Sequence, residues 1–366
     1  MPYTLEEIKK LPKTDLHVHL DGSIRLSSLI EFAKKLKIEL PSYTVEGLKE
    51  LVFKDQYKDL PEYLECFGYT CAALMDLENL EQAAYEFAYD AFNDGVYRIE
   101  PRYCPSLMLN EKNLYNNQDI ITSIEKGLSK ASKEINEIIK SSDEIKNNLD
   151  QYPWADKEFS YTHILCIMRH WSPTDSKSYI EELLSIREKT DLPIHNIDLA
   201  GPENGFPVSL HKEAFELTHK ADLTKTIHAG EAAGPESIVE AIEIANAKRI
   251  GHGVNLFNAN YPYPESKKTE LIKNMIDNKI CIEVCLTSNL QTLPELEMKP
   301  ENHSFKKMLD AGLLLSPCTD NTTVSNTTVS EEIYKMQETF NLSGANVESL
   351  LACGFRSMFR VKSHFS

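Results

Sequence analysis

The sequence predicts an α/β chain closed into a (β/α)8 barrel, and three observations lead there. Short apolar runs rich in strand-forming residues recur eight times along 366 residues. Longer amphipathic stretches fall between them, and strand, helix, strand in alternation implies a parallel sheet. Eight such units over about 300 residues fit a closed barrel better than two open sheets.

The eight candidate strands are 15–20 (DLHVHL), 95–104 (GVYRIEPRYC), 162–168 (THILCIM), 195–200 (HNIDLA), 223–229 (LTKTIHA), 249–254 (RIGHGV), 279–285 (KICIEVC) and 312–318 (GLLLSPC). Between the later ones, 210–221, 236–247, 268–278 and 301–312 place apolar residues at i, i+3 and i+4, the last with a Gly stop signal. Two stretches exceed a plain barrel. Residues 43–94 hold extra helices after the first strand, and 117–157 holds a long charged helix and a polar loop before the third. Both read as insertions, so 1–366 reads as one catalytic barrel domain.

Composition bounds the partners. The formal charge is -17, from 39 Lys+Arg against 56 Asp+Glu. Such a field repels phosphate backbones and anionic lipid, so nucleic acid and membrane are poor partners and a small neutral molecule is a better one. The first residues, MPYTLEEIKKLPKTD, lack the apolar core of a secretion signal. Eight scattered cysteines without a CxxC pair read as buried free thiols in a reducing compartment, hence a cytoplasmic protein. The oligomeric state is not legible.

Strand period 2 turns His17 and His19 to one face, into the barrel if Leu16, Val18 and Leu20 pack outward. A lone His-x-His is a weak motif. The ends of other strands strengthen it. The fifth ends in HAGE, His228 to Glu231; the sixth carries His252 between two glycines; the eighth ends in Asp320 and Asn321. Strand C-termini of a (β/α)8 barrel converge on one mouth, where sites are built. Three imidazoles (His17, His19, His228) and one carboxylate (Asp320) suit Zn2+, one per chain, with a position left for water. Glu231 and His252 remain as titratable groups beside it. Glu100 and Arg102 share one face of the second strand, where a buried structural ion pair is expected.

The set HVHLDGS, EPRYCP, ILCIMRH, IDLAG, HAGE, GHGV, EVCLTSNLQT and CTDN resembles the adenosine deaminases of the amidohydrolase-type barrel superfamily, in their order, from about residue 8 to 355. The resemblance implies zinc-dependent hydrolytic deamination of adenosine to inosine and ammonia, with a purine nucleoside as partner. It implies that His17, His19, His228 and Asp320 bind zinc, that Glu231 exchanges a proton with purine N1, and that His252 takes or steers a proton of the attacking water. By the same likeness Gly201 offers its N–H to purine N3, and Asp21 contacts the ribose 5′-hydroxyl. Related adenine deaminases usually carry Glu where Asp21 stands. Asn321 replaces the second Asp of mammalian members and is expected to donate to purine N7. Cytidine-type deaminases need P-C-x-x-C, and here Pro317 and Cys318 are followed by Thr-Asp-Asn. Part of 51–69 is expected to cover the ribose. Deamination of adenine, 5′-methylthioadenosine or an aminofutalosine-like nucleoside, and a non-catalytic nucleoside-binding barrel, are the rival readings.

Overall fold

The structure, a computed structural model, describes residues 1–58, 60–109 and 115–359. Among these residues nine strands form one parallel sheet: β1 (Lys13–His19), β2 (Val96–Tyr103), β3 (Ser160–Tyr161), β4 (Ile164–Met168), β5 (Asn196–Ala200), β6 (Thr224–Ala229), β7 (Arg249–His252), β8 (Cys281–Val284) and β9 (Leu314–Pro317). Eight run in sequence order around the barrel, and the two-residue β3 pairs with β2 beside them. β9 returns to β1 through a parallel bridge between Val18 and Asp320. Its two bonds are His19 N–H to Asp320 O at 2.7 Å and Asp320 N–H to His17 O at 2.8 Å. The barrel therefore closes through the backbone of three residues that the sequence marks as metal ligands.

Outward residues such as Val18, Leu20, Ile99, Ile197, Ile227, Ile250 and Ile282 are fully buried under the helices. The interior is ionic instead. Arg102 pairs with Asp198 at 2.8 Å and Glu283 at 2.9 Å; Arg249 pairs with Glu100 and Glu283 at 2.6 Å each; Arg98 lies 3.3 Å from Glu100. Three guanidiniums thus face three carboxylates, and a buried network is tolerable only when its charges balance in this way. Glu100 and Arg102 are both in buried ion pairs, Glu100 with Arg98 of its own strand and Arg249 of β7, Arg102 with β5 and β8, and not with each other.

The insertions are helical. Leu60–Ala73 and Leu77–Asn93 follow β1, and Asn117–Ser141 lies on the latter, burying Ile120, Ile121, Ile124, Leu128, Ala131 and Ile135. The polar stretch after it is not a loop. Ser142 accepts from Ile145 N–H and starts a helix at Asp143–Asp150, a capping signal that its polarity hides. The stretch 301–312 is helical only at Phe305–Asp310, because Pro300–Asn302 is a 3-10 turn and the His303 side chain accepts the Phe305 N–H. All eight cysteines are free thiols, seven of them buried. Among the described residues no helix is long and apolar enough to cross a membrane.

Candidate active site

A cavity of about 250 Å³ opens at the C-terminal ends of the strands. Its walls are largely apolar: Leu60, Leu64 and Phe67 from the helix after β1, with Leu107 and Met168 opposite. That helix lies within 51–69, the stretch expected to cover the ribose, of which Asp59 lies outside the described residues. The polar groups meet on one side, where His19, Asp21, His228, Glu231, His252, Asp320 and Asn321 line the cavity with Gly201. Roughly 10–15 Å³ of such space holds one water, so this cavity takes a small organic molecule.

Four ligand atoms converge at its floor. His17 Nε2 and His19 Nε2 lie 3.1 and 3.2 Å from His228 Nε2, and 3.4 and 3.5 Å from Asp320 Oδ1. Ligands at zinc bond lengths on a tetrahedron stand about 3.4 Å apart. A second set, with His252 in place of His19, also brings its atoms within 4.8 Å of one another. The four short separations favour His19.

Proton placement fits a cation between them. His17 Nδ1 lies 2.8 Å from Glu283 Oε2, and burial of that carboxyl is outweighed by Arg102 and Arg249, which hold it well below the usual carboxylate range. Anionic Glu283 can only accept, so His17 carries its proton on Nδ1. His228 Nδ1 sits 2.8 Å from Asp198 Oδ2, close enough to share the proton although not aligned as a straight hydrogen bond. With both Nδ1 atoms turned to carboxylates, the two Nε2 atoms crowd each other across 3.1 Å. A divalent ion ligated by both removes that conflict, and carboxylates behind ligating histidines are the usual support.

Backbone strain marks two of these positions. His252 and Asp320 adopt φ of 66° and 63°, left-handed values uncommon outside glycine. Gly251 is needed for room, not for φ: a Cβ there would lie 2.8 Å from His17 Cε1 and 3.2 Å from His228 Cα. Gly251→Ala is expected to fold yet bind metal about 10- to 100-fold more weakly, the range for a displaced ligand support. Metal content after dialysis against graded chelator, beside circular dichroism, checks this; undiminished affinity would contradict it.

Burial raises the Glu231 carboxyl to about 8, with Asp320 and Glu203 adding to it against His228. It is therefore a neutral acid near pH 7, and its Oε1 lies 3.7 Å from His252 Nε2. Its loop is held by a residue that the sequence reading passed over. Glu203 accepts the N–H groups of Gly230, Glu231, Ala232 and Ala233 at 2.7–3.0 Å. Asp21 is buried, its Oδ1 without a hydrogen-bond partner among the described residues and 3.8 Å from His19 Nδ1, and burial raises its carboxyl to about 7. Gly201 follows β5 at φ 95°. Asn321 Nδ2 lies 2.7 Å from the Tyr63 hydroxyl, which also meets Ser325 Oγ at 2.7 Å, and Asn321 Oδ1 has no hydrogen-bond partner among the described residues. A half-turn of the amide keeps the Tyr63 contact, with Tyr63 then donating, and puts Nδ2 at the present Oδ1 position beside Gly22. Ser288 donates to Asp320 Oδ2 at 2.5 Å, fixing the carboxylate's second oxygen.

Comparison with known proteins gives one consistent family. The family model described as adenosine deaminase matches residues 12–363. A probable adenosine deaminase of Dictyostelium discoideum is 34% identical over 97% of this chain, which spans 41% of that protein's length. The adenosine deaminase of Clostridium acetobutylicum is 30% identical, over 97% of this chain and 95% of its own. Among solved structures, an adenine deaminase from Arthrobacter aurescens superposes with a TM-score of 0.77 at 21% identity, covering 96% of this chain and 94% of that one, a likeness of fold.

Proposed function

The chain belongs to the adenosine deaminase family, and from that premise we propose that it hydrolyses adenosine, and 2′-deoxyadenosine, to the 6-oxo nucleoside and ammonia. Residues 1–366 act as one catalytic barrel around a single zinc ion, in the cytoplasm. The observation that carries this reading is the meeting of four metal-ligand atoms with a neutral carboxyl on the polar side of an otherwise apolar cavity.

His17, His19, His228 and Asp320 would hold the ion. Bound there, zinc supplies Lewis acidity that lowers the pKa of water from 15.7 toward roughly 7. The chain's own residues do the rest. Phe67, Leu60, Leu64, Leu107 and Met168 wall off the purine and exclude bulk water. The Gly201 N–H meets N3. Glu231, protonated, donates to N1, which withdraws electrons from C6 and makes it electrophilic. Water adds at C6 and the C6–N bond breaks; one proton of that water goes to the amino group, which leaves as ammonia, the other restores the Glu231 carboxyl, and the proton given to N1 stays in the 6-oxo product. Glu203 holds the Glu231 backbone in place through the addition.

Asp21 favours a nucleoside over free adenine. Its unpartnered buried oxygen accepts a hydrogen bond from the 5′-hydroxyl, and an unfilled buried acceptor is costly. Adenosine should therefore exceed 5′-deoxyadenosine, 5′-methylthioadenosine and adenine in kcat/KM, with 5′-deoxyadenosine about 10- to 100-fold below it. Equal rates across that panel would overturn the assignment.

Asn321 supplies the remaining contact, an N–H to purine N7. An amide donates at every pH, whereas a carboxyl must be protonated to do so. Wild type should prefer adenosine to 7-deazaadenosine by about 10- to 100-fold, the value of a buried hydrogen bond whose partner is otherwise orphaned. Asn321→Ala should lose most of that preference by acting worse on adenosine alone. The four rates form a double-mutant cycle. An unchanged ratio in the variant would make Asn321 a support for Asp320 and not a reader of N7.

A further inference from the structure

We propose that Asn289 and His303 are positioning residues that hold His252 as a hydrogen-bond donor through Nε2. A chain of bonds with only one possible polarity leads to this. It starts at the Phe305 backbone N–H, which can only donate and lies 3.0 Å from His303 Nδ1. His303 Nδ1 is therefore an acceptor. The ring is 3% exposed, and burial pushes its pKa down to about 3, so it is neutral with its proton on Nε2.

That N–H points at Asn289 Oδ1, 3.1 Å away. The opposite amide orientation would set the Asn289 NH2 against the His303 N–H, two donors with no acceptor. Asn289 Nδ2 is thereby turned to His252 Nδ1 at 3.0 Å, and it donates there. With the Nδ1 lone pair taken, neutral His252 carries its proton on Nε2. An imidazolium would set a second N–H against the Asn289 donor, so the same bond keeps the ring neutral. His252 Nε2 is buried without a hydrogen-bond partner among the described residues and borders the cavity.

The scaffold behind the relay is fixed. Asn289 belongs to the short helix Leu286–Thr292, whose Thr287 N–H is held by buried Glu332 at 3.0 Å and whose Ser288 reaches Asp320. Of the two roles open to His252, taking a proton or steering, the relay leaves steering. The Nε2 lone pair that a base would need is already occupied by hydrogen, and that N–H remains to be donated at the cavity, 3.7 Å from Glu231 Oε1.

The test reads protonation directly. In metal-loaded protein labelled with 15N-histidine, long-range proton–nitrogen correlation distinguishes a protonated ring nitrogen from a bare one, and His252→Gln identifies the His252 signals. Wild type should show the His252 proton on Nε2. In Asn289→Asp the carboxylate can only accept, so the proton should move to Nδ1. With adenosine, kcat should fall about 10²- to 10³-fold, the cost of losing one aimed donor, while KM stays within about threefold. Should that variant not fold, His303→Leu should lose the single fixed tautomer and His303→Gln, which still offers an N–H, should keep it. A His252 proton on Nδ1 in wild type, one unchanged tautomer across the variants, or a moved proton with kcat unaltered would each overturn the proposal. The kcat arm rests on the adenosine reading and the spectroscopic arm does not, so wild type inert on adenosine would sink that reading alone.

Discussion

Glu231→Gln is expected to lower kcat on adenosine by about 10²- to 10⁴-fold, the range for general acid help. KM should change little, because the proton moves in the transition state and the ground state gains little from it. The amide keeps the shape and remains held by Glu203 through its backbone, so metal content and the affinity for purine riboside should match wild type. Burial supports the choice of this residue over other acids, since it keeps the carboxyl protonated near neutrality, raised to about 8. Turnover within a few-fold of wild type would place the acid elsewhere.

His17→Ala and His228→Ala are expected to lose both metal and rate, by about 10⁴-fold or more, since without its ion the site has nothing to acidify water. The two variants should differ in stability. His17 is fully buried against Glu283, so its removal leaves that anion one donor short while Arg102, Arg249 and Thr226 still bond to it. His228 leaves Asp198 facing Arg102. Thermal unfolding with and without added Zn2+ measures the coupling: wild type should gain stability on loading, as any ligand of the native state confers, and neither variant should. Full metal retention in both would remove them from the ligand set.

What the sequence made legible follows from strand geometry. His17 and His19 share a face by period 2, and His228, His252 and Asp320 end strands that a barrel must converge. Glu283 and Asp198 were visible as single charges inside apolar runs, yet which strand each faces across the barrel is a tertiary fact. Arg102 therefore looked like a partner for Glu100, two residues away, when it pairs with β5 and β8. Glu203, Asn289 and His303 lie beyond the strands, where no periodicity assigns a direction. The misread helix start at 301–304 and the unseen relay have one cause, a His303 side chain that bonds to backbone at Phe305 and to Asn289 at once.

One metal at one site should carry adenosine hydrolysis. Metal-free protein titrated with Zn2+, with bound metal and inosine release read on the same samples, tests it most directly. Inosine formation should rise in proportion to bound zinc and stop rising at one ion per chain. Full turnover by the metal-free protein, or one tightly bound zinc per chain with no inosine released, would contradict it.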